Sequence, residues 1–302
     1  MKRKQVLSEL SGISFSACAI FTAVITIFFV GFIFYMAYPA FQSQGLYFLY
    51  GNVWDYSENI YGIRIFIAGT FAMTFTTLLI ALPVSFFTAI FLAEYAPRQI
   101  VSILRPMIEL LVGIPSVVYG IFGLFLLKDV FEHTINPFLS TYLGFIPFFV
   151  DYGYQGQGVL LASVILAIMI LPTVTTIAED SIRSVPFSYR EASYALGANH
   201  WQTIKKVVLR TASKGMLLGA VLGMMRAMGE TMAIVMLLGN IMQVPRSLLD
   251  TGYAMTSKIL NDITYHLIED EPRSALFGIA AVLFLLEIIF VGIARKIGGR
   301  NS

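Results

Sequence analysis

The stretch GMLLGAVLGMMRAMGETMAIVMLLGNIMQ, from Gly215 to Gln243, carries two charges, Arg226 and Glu230, inside an apolar segment long enough to cross a bilayer. A charge at the bilayer centre costs about 2.5 to 3.5 kcal/mol on insertion scales. Both side chains are therefore expected to turn from lipid toward protein, water or a ligand. On a helical wheel Gly215, Gly219, Gly223, Arg226, Glu230 and Ala233 share one narrow sector, with Val221, Met224, Met225, Met228, Met232 and Val235 opposite. Glycines four apart let another helix approach closely, so this sector would line a helix interface or a central pathway. An ion pair that merely joins helices is the structural alternative. The order of the two residues weakens it, because acid before base is the favourable arrangement at this spacing and here Arg precedes Glu. The guanidinium is then available to grip a phosphate or carboxylate with two parallel hydrogen bonds.

Working outward, 57% of the 302 residues are hydrophobic and only 13% are charged, which places the chain among polytopic membrane proteins. Apolar runs predict six spans, at Ile13 to Tyr38, Ile65 to Leu92, Met107 to Leu127, Gly158 to Ala178, Gly215 to Ile241 and Ala275 to Ala294. The first follows Lys2, Arg3 and Lys4 and is too long for a signal-peptide core, so it reads as a retained anchor with both chain termini cytoplasmic. That topology puts 14 basic residues inside and 5 outside, in keeping with the positive-inside rule.

The net charge of +2 gives no footprint for nucleic acid, and anionic membrane lipid accounts for the basic residues near the inner surface. Cys18 is the lone cysteine, and His133, His200 and His266 have no ligand-spaced neighbours, so neither a disulfide nor a metal site is expected. The outer segments are too short for a separate domain. Residues 128 to 143 read as a short interfacial helix or a packed loop, and Asp250, Asp262, Glu269, Asp270 and Glu271 as a solvated acidic face. A Gly-x4-Gly-Lys-Ser/Thr loop is missing from the sequence, so any ATP and Mg would be held by a partner ATPase; the chain itself reads as having no cofactor and no catalytic residues.

Residues 179 to 214 form the one long inner segment. Pro186 suits a helix start, Gly197 a left-handed helix end, and Asn199 with Gln202 a capping box, which together predict a helical hairpin. Ala192, Ala195, Leu196 and Trp201 crowd its turn. Either a surface for a protein groove or an amphipathic linker on the membrane would look like this. Pro83, Pro115 and Pro172 each fall within a predicted span, as interruptions that are structural or hinge-like, with Gly113 beside Pro115 marking the most flexible wall.

Glu191-Ala192-Ser193, with Gly197 following and Val207-Val208-Leu209 beyond, resembles the EAA loop of bacterial ABC-importer permeases. It departs from that pattern at Ser193, Val207 and Arg210. Gly113-Ile114-Pro115-Ser116-Val117-Val118-Tyr119-Gly120 and Arg226-Ala227-Met228-Gly229-Glu230-Thr231-Met232-Ala233 resemble the PstC-type permeases of phosphate importers. The resemblance implies an all-α type I importer permease (MetI-like) in the bacterial inner membrane. Its core would be residues 65 to 296, after an N-terminal helix and outer loop over 1 to 64. It implies a PstA-like permease partner, two PstB-like ATPases and an external PstS-like phosphate-binding protein. ATPase coupling would fall to Glu191, Ala192, Ser193, Ala195, Leu196 and Gly197, and the phosphate pathway to Arg226, Glu230, Gly223 and Thr231. Glu230 would accept the hydroxyl proton of phosphate, which sulfate lacks, or orient Arg226 or meet the partner helix. Another oxyanion, such as phosphonate, sulfate or molybdate, a signalling platform, and a secondary transporter or channel are the competing functions.

Overall fold

The computed structural model describes residues 2–153 and 156–299, with side chains for 14–153 and 156–296. The basic side chains of Lys2, Arg3, Lys4 and Arg300 lie outside the described set. Among the described residues five continuous helices are long and apolar enough to cross a membrane, and a bent pair forms a sixth candidate. The expected six spans are reached when the bent pair is taken as one, and the third and fifth differ in form from the sequence reading.

Helix α1 (Lys2–Gln44) extends past the expected loop start at Pro39. It presents an almost wholly exposed apolar surface, where Thr22 and Thr26 donate to the carbonyls of Cys18 and Thr22 at 2.9 Å and so leave no bare hydroxyl. It packs along the last helix, α11 (Asp270–Gly299), with Phe32 edge-on to Phe277. A two-residue hairpin, β1 (Trp54–Asp55) against β2 (Ile60–Tyr61), leads into α2 (Arg64–Ile90).

At the centre stands α5 (Val159–Arg183), apolar on every side, with Val159, Ala162, Ile165 and Ile170 fully buried. It packs along α2 and α8 (Leu209–Gly229). Ser163 donates to the Met73 carbonyl across the α2–α5 contact at 3.1 Å. Gly69 of α2 admits the backbone of Tyr253, whose carbonyl oxygen would lie 2.3 Å from any added Cβ. The Thr70 hydroxyl then takes the Met255 amide at 3.0 Å and anchors the start of α10 (Met255–His266).

Neither Pro83 nor Pro172 interrupts its helix, contrary to the sequence reading, because α2 and α5 run continuously through both. Pro115 does break the chain. α3 (Arg98–Val112) and the helical run that begins with α4 (Ser116–Phe122) and reaches Leu143 meet at 93°. The predicted third span, Met107 to Leu127, therefore straddles a right-angle corner, and residues 128–143 continue the second arm instead of forming a separate interfacial helix. α3 buries none of its residues, and its apolar and polar faces are well separated.

The outer acidic segment is not a solvated face throughout. Asp250 is buried, accepting from Gln243 at 2.8 Å and from the backbone amides of Arg246 and Thr251 at 3.0 and 2.9 Å. Lys258, 1% exposed, pairs with Asp262 at 2.5 Å beneath the rings of Trp54, Tyr56, Phe66 and Tyr253, 4.9 to 5.5 Å from its Nζ. Tyr56 donates to the same carboxylate. Burial pulls the Lys258 pKa below the usual lysine range, while Asp262 pulls the other way. Burial and then Asp262 raise that of Tyr56.

Candidate functional site

The sequence reading treats Gly215 to Ile241 as one helix, and the structure corrects this. α8 ends at Gly229; Glu230 is extended at φ −66°, ψ 133°, and a short helix α9 (Met232–Leu237) follows. Glycine is the weakest helix former after proline, so the break falls where propensity is lowest. Its loose backbone groups find local partners. The Glu230 carboxylate accepts from the Thr231 amide at 3.1 Å, the Glu230 carbonyl from Thr256 Oγ1 at 2.8 Å, and the Gly229 carbonyl from Thr231 Oγ1 at 3.2 Å.

The glycine stripe lies in a helix contact. An added Cβ would fall 2.1 Å from Ser181 Oγ at Gly215, 3.3 Å from Ile177 at Gly219 and 2.6 Å from Val174 at Gly223, all on α5. Gly223 is accordingly buried packing, and Ala233 belongs to a different helix from the rest of the wheel sector. This close approach sets Arg226, half-buried, against α5, where Nη1 donates to Thr173 Oγ1 at 3.3 Å. No ion pair joins Arg226 to Glu230 among the described residues, so the gluing pair is not what the fold builds.

Two further groups come to this place. Glu287 of α11 reaches the break, its Oε1 3.8 Å from where a Cβ on Gly229 would stand. Its signal in the sequence is a lone acid within the apolar run Ala275 to Ala294, which the sequence reading does not include among the candidate residues. Tyr119 of α4 donates to the Leu111 carbonyl at 3.0 Å, which also accepts from the Ile114 amide at 3.4 Å, and the next residue, Gly120, packs on α9, where an added Cβ would lie 3.2 Å from Ala233 Cα. The arm that leaves the Gly113 and Pro115 corner thus packs on the short helix that follows the break. Thr74, Thr77 and Thr175 add buried hydroxyls with no protein partner on α2 and α5.

At one end of the bundle the predicted hairpin forms from α6 (Phe187–Ala195) and α7 (His200–Thr203). Pro186 caps α6, Gly197 takes φ +81°, and the Asn199 and Gln202 capping box closes at 2.8 and 3.0 Å. Ser193 is buried, its hydroxyl 2.9 Å from that of Thr203, so it ties the two arms together. Glu191, Ala192, Ala195, Leu196 and Gly197 stay exposed, Leu196 at 89%, and Ala192, Leu196 and Gly197 line a groove of about 480 Å³.

Sequence could not have paired the residues that fasten this hairpin to the bundle. Arg190 donates to Glu94 at 2.6 Å and to the Val185 carbonyl at 2.6 Å, and both charged side chains are largely buried. Glu94 lies on the π-helical turn Phe91–Tyr95 that ends α2. Arg183 meets Glu179 at 2.7 Å and the Leu92 carbonyl at 2.8 Å, while Arg105 of α3 meets Asp180 at 2.7 Å. The second arm has no joint: from His200 the chain is helical through a π turn at Ile204–Val208 to Gly229.

A broken intramembrane helix with a lone arginine, fed by an apolar-tipped hairpin, defines a helical transport subunit. Residues 85–300 match the family described as binding-protein-dependent transport system inner membrane component, and the chain belongs to that family. It is 38% identical over 260 residues to the phosphate transport system permease protein PstC of Xylella fastidiosa, covering 85% of this chain and 79% of that protein. The namesake from Pasteurella multocida is 35% identical over 263 residues, covering 86% and 81%. Among solved structures, the bacterial alginate ABC transporter with its pentasaccharide-bound periplasmic protein has a TM-score of 0.58 at 17% identity, covering 94% of this chain and 93% of that one. The inward-facing MetNI methionine ABC transporter has 0.54 at 18%, covering 80% and 97%. Both resemblances support the all-α, MetI-like importer permease fold.

Proposed function

We propose that this chain is one of two permease subunits of an ATP-driven importer of inorganic phosphate, the role carried in the name of its PstC relatives. The observation that supports it best is the unbroken helix of 30 residues from His200 to Gly229, about 45 Å long. It begins in the hairpin and ends at the Arg226 and Glu230 break. ATPase movement against Ala192, Ala195 and Leu196 would therefore reach the arginine through a rigid rod. The ion pairs at Glu94, Glu179 and Asp180 would carry the same displacement into α2, α3 and α5.

In this reading the hairpin faces the cytoplasm, consistent with the distribution of basic residues. A PstS-like protein delivers phosphate to the opposite mouth, and two PstB-like subunits bind ATP and Mg. Phosphate carries about two negative charges near neutral pH. Arg226, whose one hydrogen bond among the described residues is to the neutral hydroxyl of Thr173, offers one positive charge, and a PstA-like partner would supply further donors. Glu230 and Thr231 line the break, where α9 can shift relative to α8, and the Gly113–Pro115 corner is the hinge. Pro83 and Pro172 lie within continuous helices and are not assigned hinge motion.

The test is uptake of phosphate by vesicles reconstituted with the four kinds of subunit. ATP-dependent uptake that arsenate inhibits and sulfate does not is the expected result. Uptake that persists without ATP would identify a secondary transporter or channel, and competition by sulfate would redirect the substrate assignment.

A further inference from the structure

On the side of α8 turned away from its glycine stripe, α8 and α11 leave a groove of about 510 Å³. Leu218, Leu222, Met225 and Val291 line it, and Leu218 and Leu222 are exposed. Lys214 and Arg295 both stand at one end, the end that carries the hairpin. Neither cation makes a hydrogen bond or ion pair with another described residue. From Lys214 to Met225 the helix rises about 16 Å. That is about half of a 30 Å hydrocarbon core, the depth of one leaflet.

We propose that this groove binds one anionic phospholipid, its phosphodiester between Lys214 and Arg295 and an acyl chain along Leu218, Leu222 and Met225. The orientation proposed above makes this an inner-leaflet site. Charge chooses the occupant. Two unpaired cations closing an apolar groove at headgroup depth complement a molecule with an anionic head and an apolar tail, and basic pockets between transmembrane helices recognise such headgroups. A helix from a partner subunit would need two acids at the same depth to do as well. A free phosphate would leave the apolar wall uncovered.

The experiment is titration of phosphatidylglycerol, with phosphatidylcholine as control, into the purified, delipidated whole complex, followed by native mass spectrometry. One phosphatidylglycerol is expected to be retained with preference over phosphatidylcholine. Lys214→Gln with Arg295→Gln should weaken it about 30-fold, the effect of losing two headgroup-level cations. Leu222→Trp, which fills the groove but keeps both charges, should abolish it. Unchanged retention in both variants overturns the site. Displacement by excess inorganic phosphate, or cross-linking of Leu222→Cys to the partner permease in a Cys18→Ser background, overturns the lipid as its occupant. Uptake is measured on the same preparations, so absent phosphate transport with intact lipid retention would sink the proposed function and spare this site. Labelling of Lys206→Cys in that background from outside intact cells would sink the assigned leaflet, together with the cytoplasmic placement of the hairpin in the proposed function, and leave the groove itself untouched.

Discussion

Two buried cations of this chain have opposite surroundings. Lys258 is sealed among four rings, paired with Asp262, and joined there by the Tyr56 hydroxyl. Arg226 is half-buried and has one long contact to the neutral Thr173. A saturated charge fixes structure; an unsaturated charge beside a broken helix is available to a ligand. In the function proposed above, the contrast would leave Lys258 to the scaffold and Arg226 to transport, although lysine and arginine are equally foreign to an apolar interior.

The largest expected effect that would break this contrast is on stability. Lys258→Met leaves Asp262 without its cation and should destabilise the fold by about 3 kcal/mol, as removal of one partner of a buried pair does. Protein that does fold should transport normally. Chemical denaturation in detergent and uptake in vesicles measure the two quantities, and lost transport in stably folded Lys258→Met would refute the division of roles. Arg226→Gln should do the reverse. Loss of charge-assisted hydrogen bonds worth about 1.5 to 3 kcal/mol lowers phosphate uptake about ten- to hundredfold with near-normal stability. Arg226→Lys keeps charge without the planar fork, and near-normal uptake in it would exclude bidentate contact.

Arg190 sharpens the comparison as a third buried cation, saturated like Lys258 but placed on the coupling hairpin. Arg190→Gln should preserve ATP hydrolysis by the complex while phosphate carried per ATP falls severalfold. Arg190→Glu with Glu94→Arg should recover part of it. The smallest effect concerns pH. Burial, then Glu271 and Glu269, push the Tyr61 pKa up to about 12. Unfolded Tyr61 loses its proton near pH 10, before the folded form does, so stability falls as pH rises between these values. Thermal unfolding of Tyr61→Phe should lose a part of this alkaline decline on the order of 1 kcal/mol by about pH 11.

Much of the site was legible because some local rules do not depend on neighbours. Gly197 and the Asn199 and Gln202 capping box specify their turn through backbone geometry alone, and they form as read. The charge of Arg226 in an apolar run marks it whatever the fold. What failed was continuity. Hydropathy is indifferent to whether a helix bends, so Met107 to Leu127 and Gly215 to Ile241 each read as one span. Proline reads alike at Pro83, Pro115 and Pro172, yet only at Pro115 does the chain turn, and there the Tyr119 hydroxyl joins the Ile114 amide on the Leu111 carbonyl. The acidic outer residues depart from their solvated reading for the opposite reason: Lys258 and Asp262 are an i,i+4 pair, but nothing local reveals that Trp54, Tyr56 and Phe66 arrive to cover it.

Sequence by itself determined the membrane class, the number of spans, the hairpin and the identity of the intramembrane charges, because lipid discriminates residue by residue and capping is local. Tertiary structure alone decided which charges are satisfied, where helices break, and that Glu94, Glu179 and Asp180 fasten the hairpin. Those outcomes depend on which partners arrive from distant parts of the chain, such as Glu94 at Arg190 and Thr256 at Glu230.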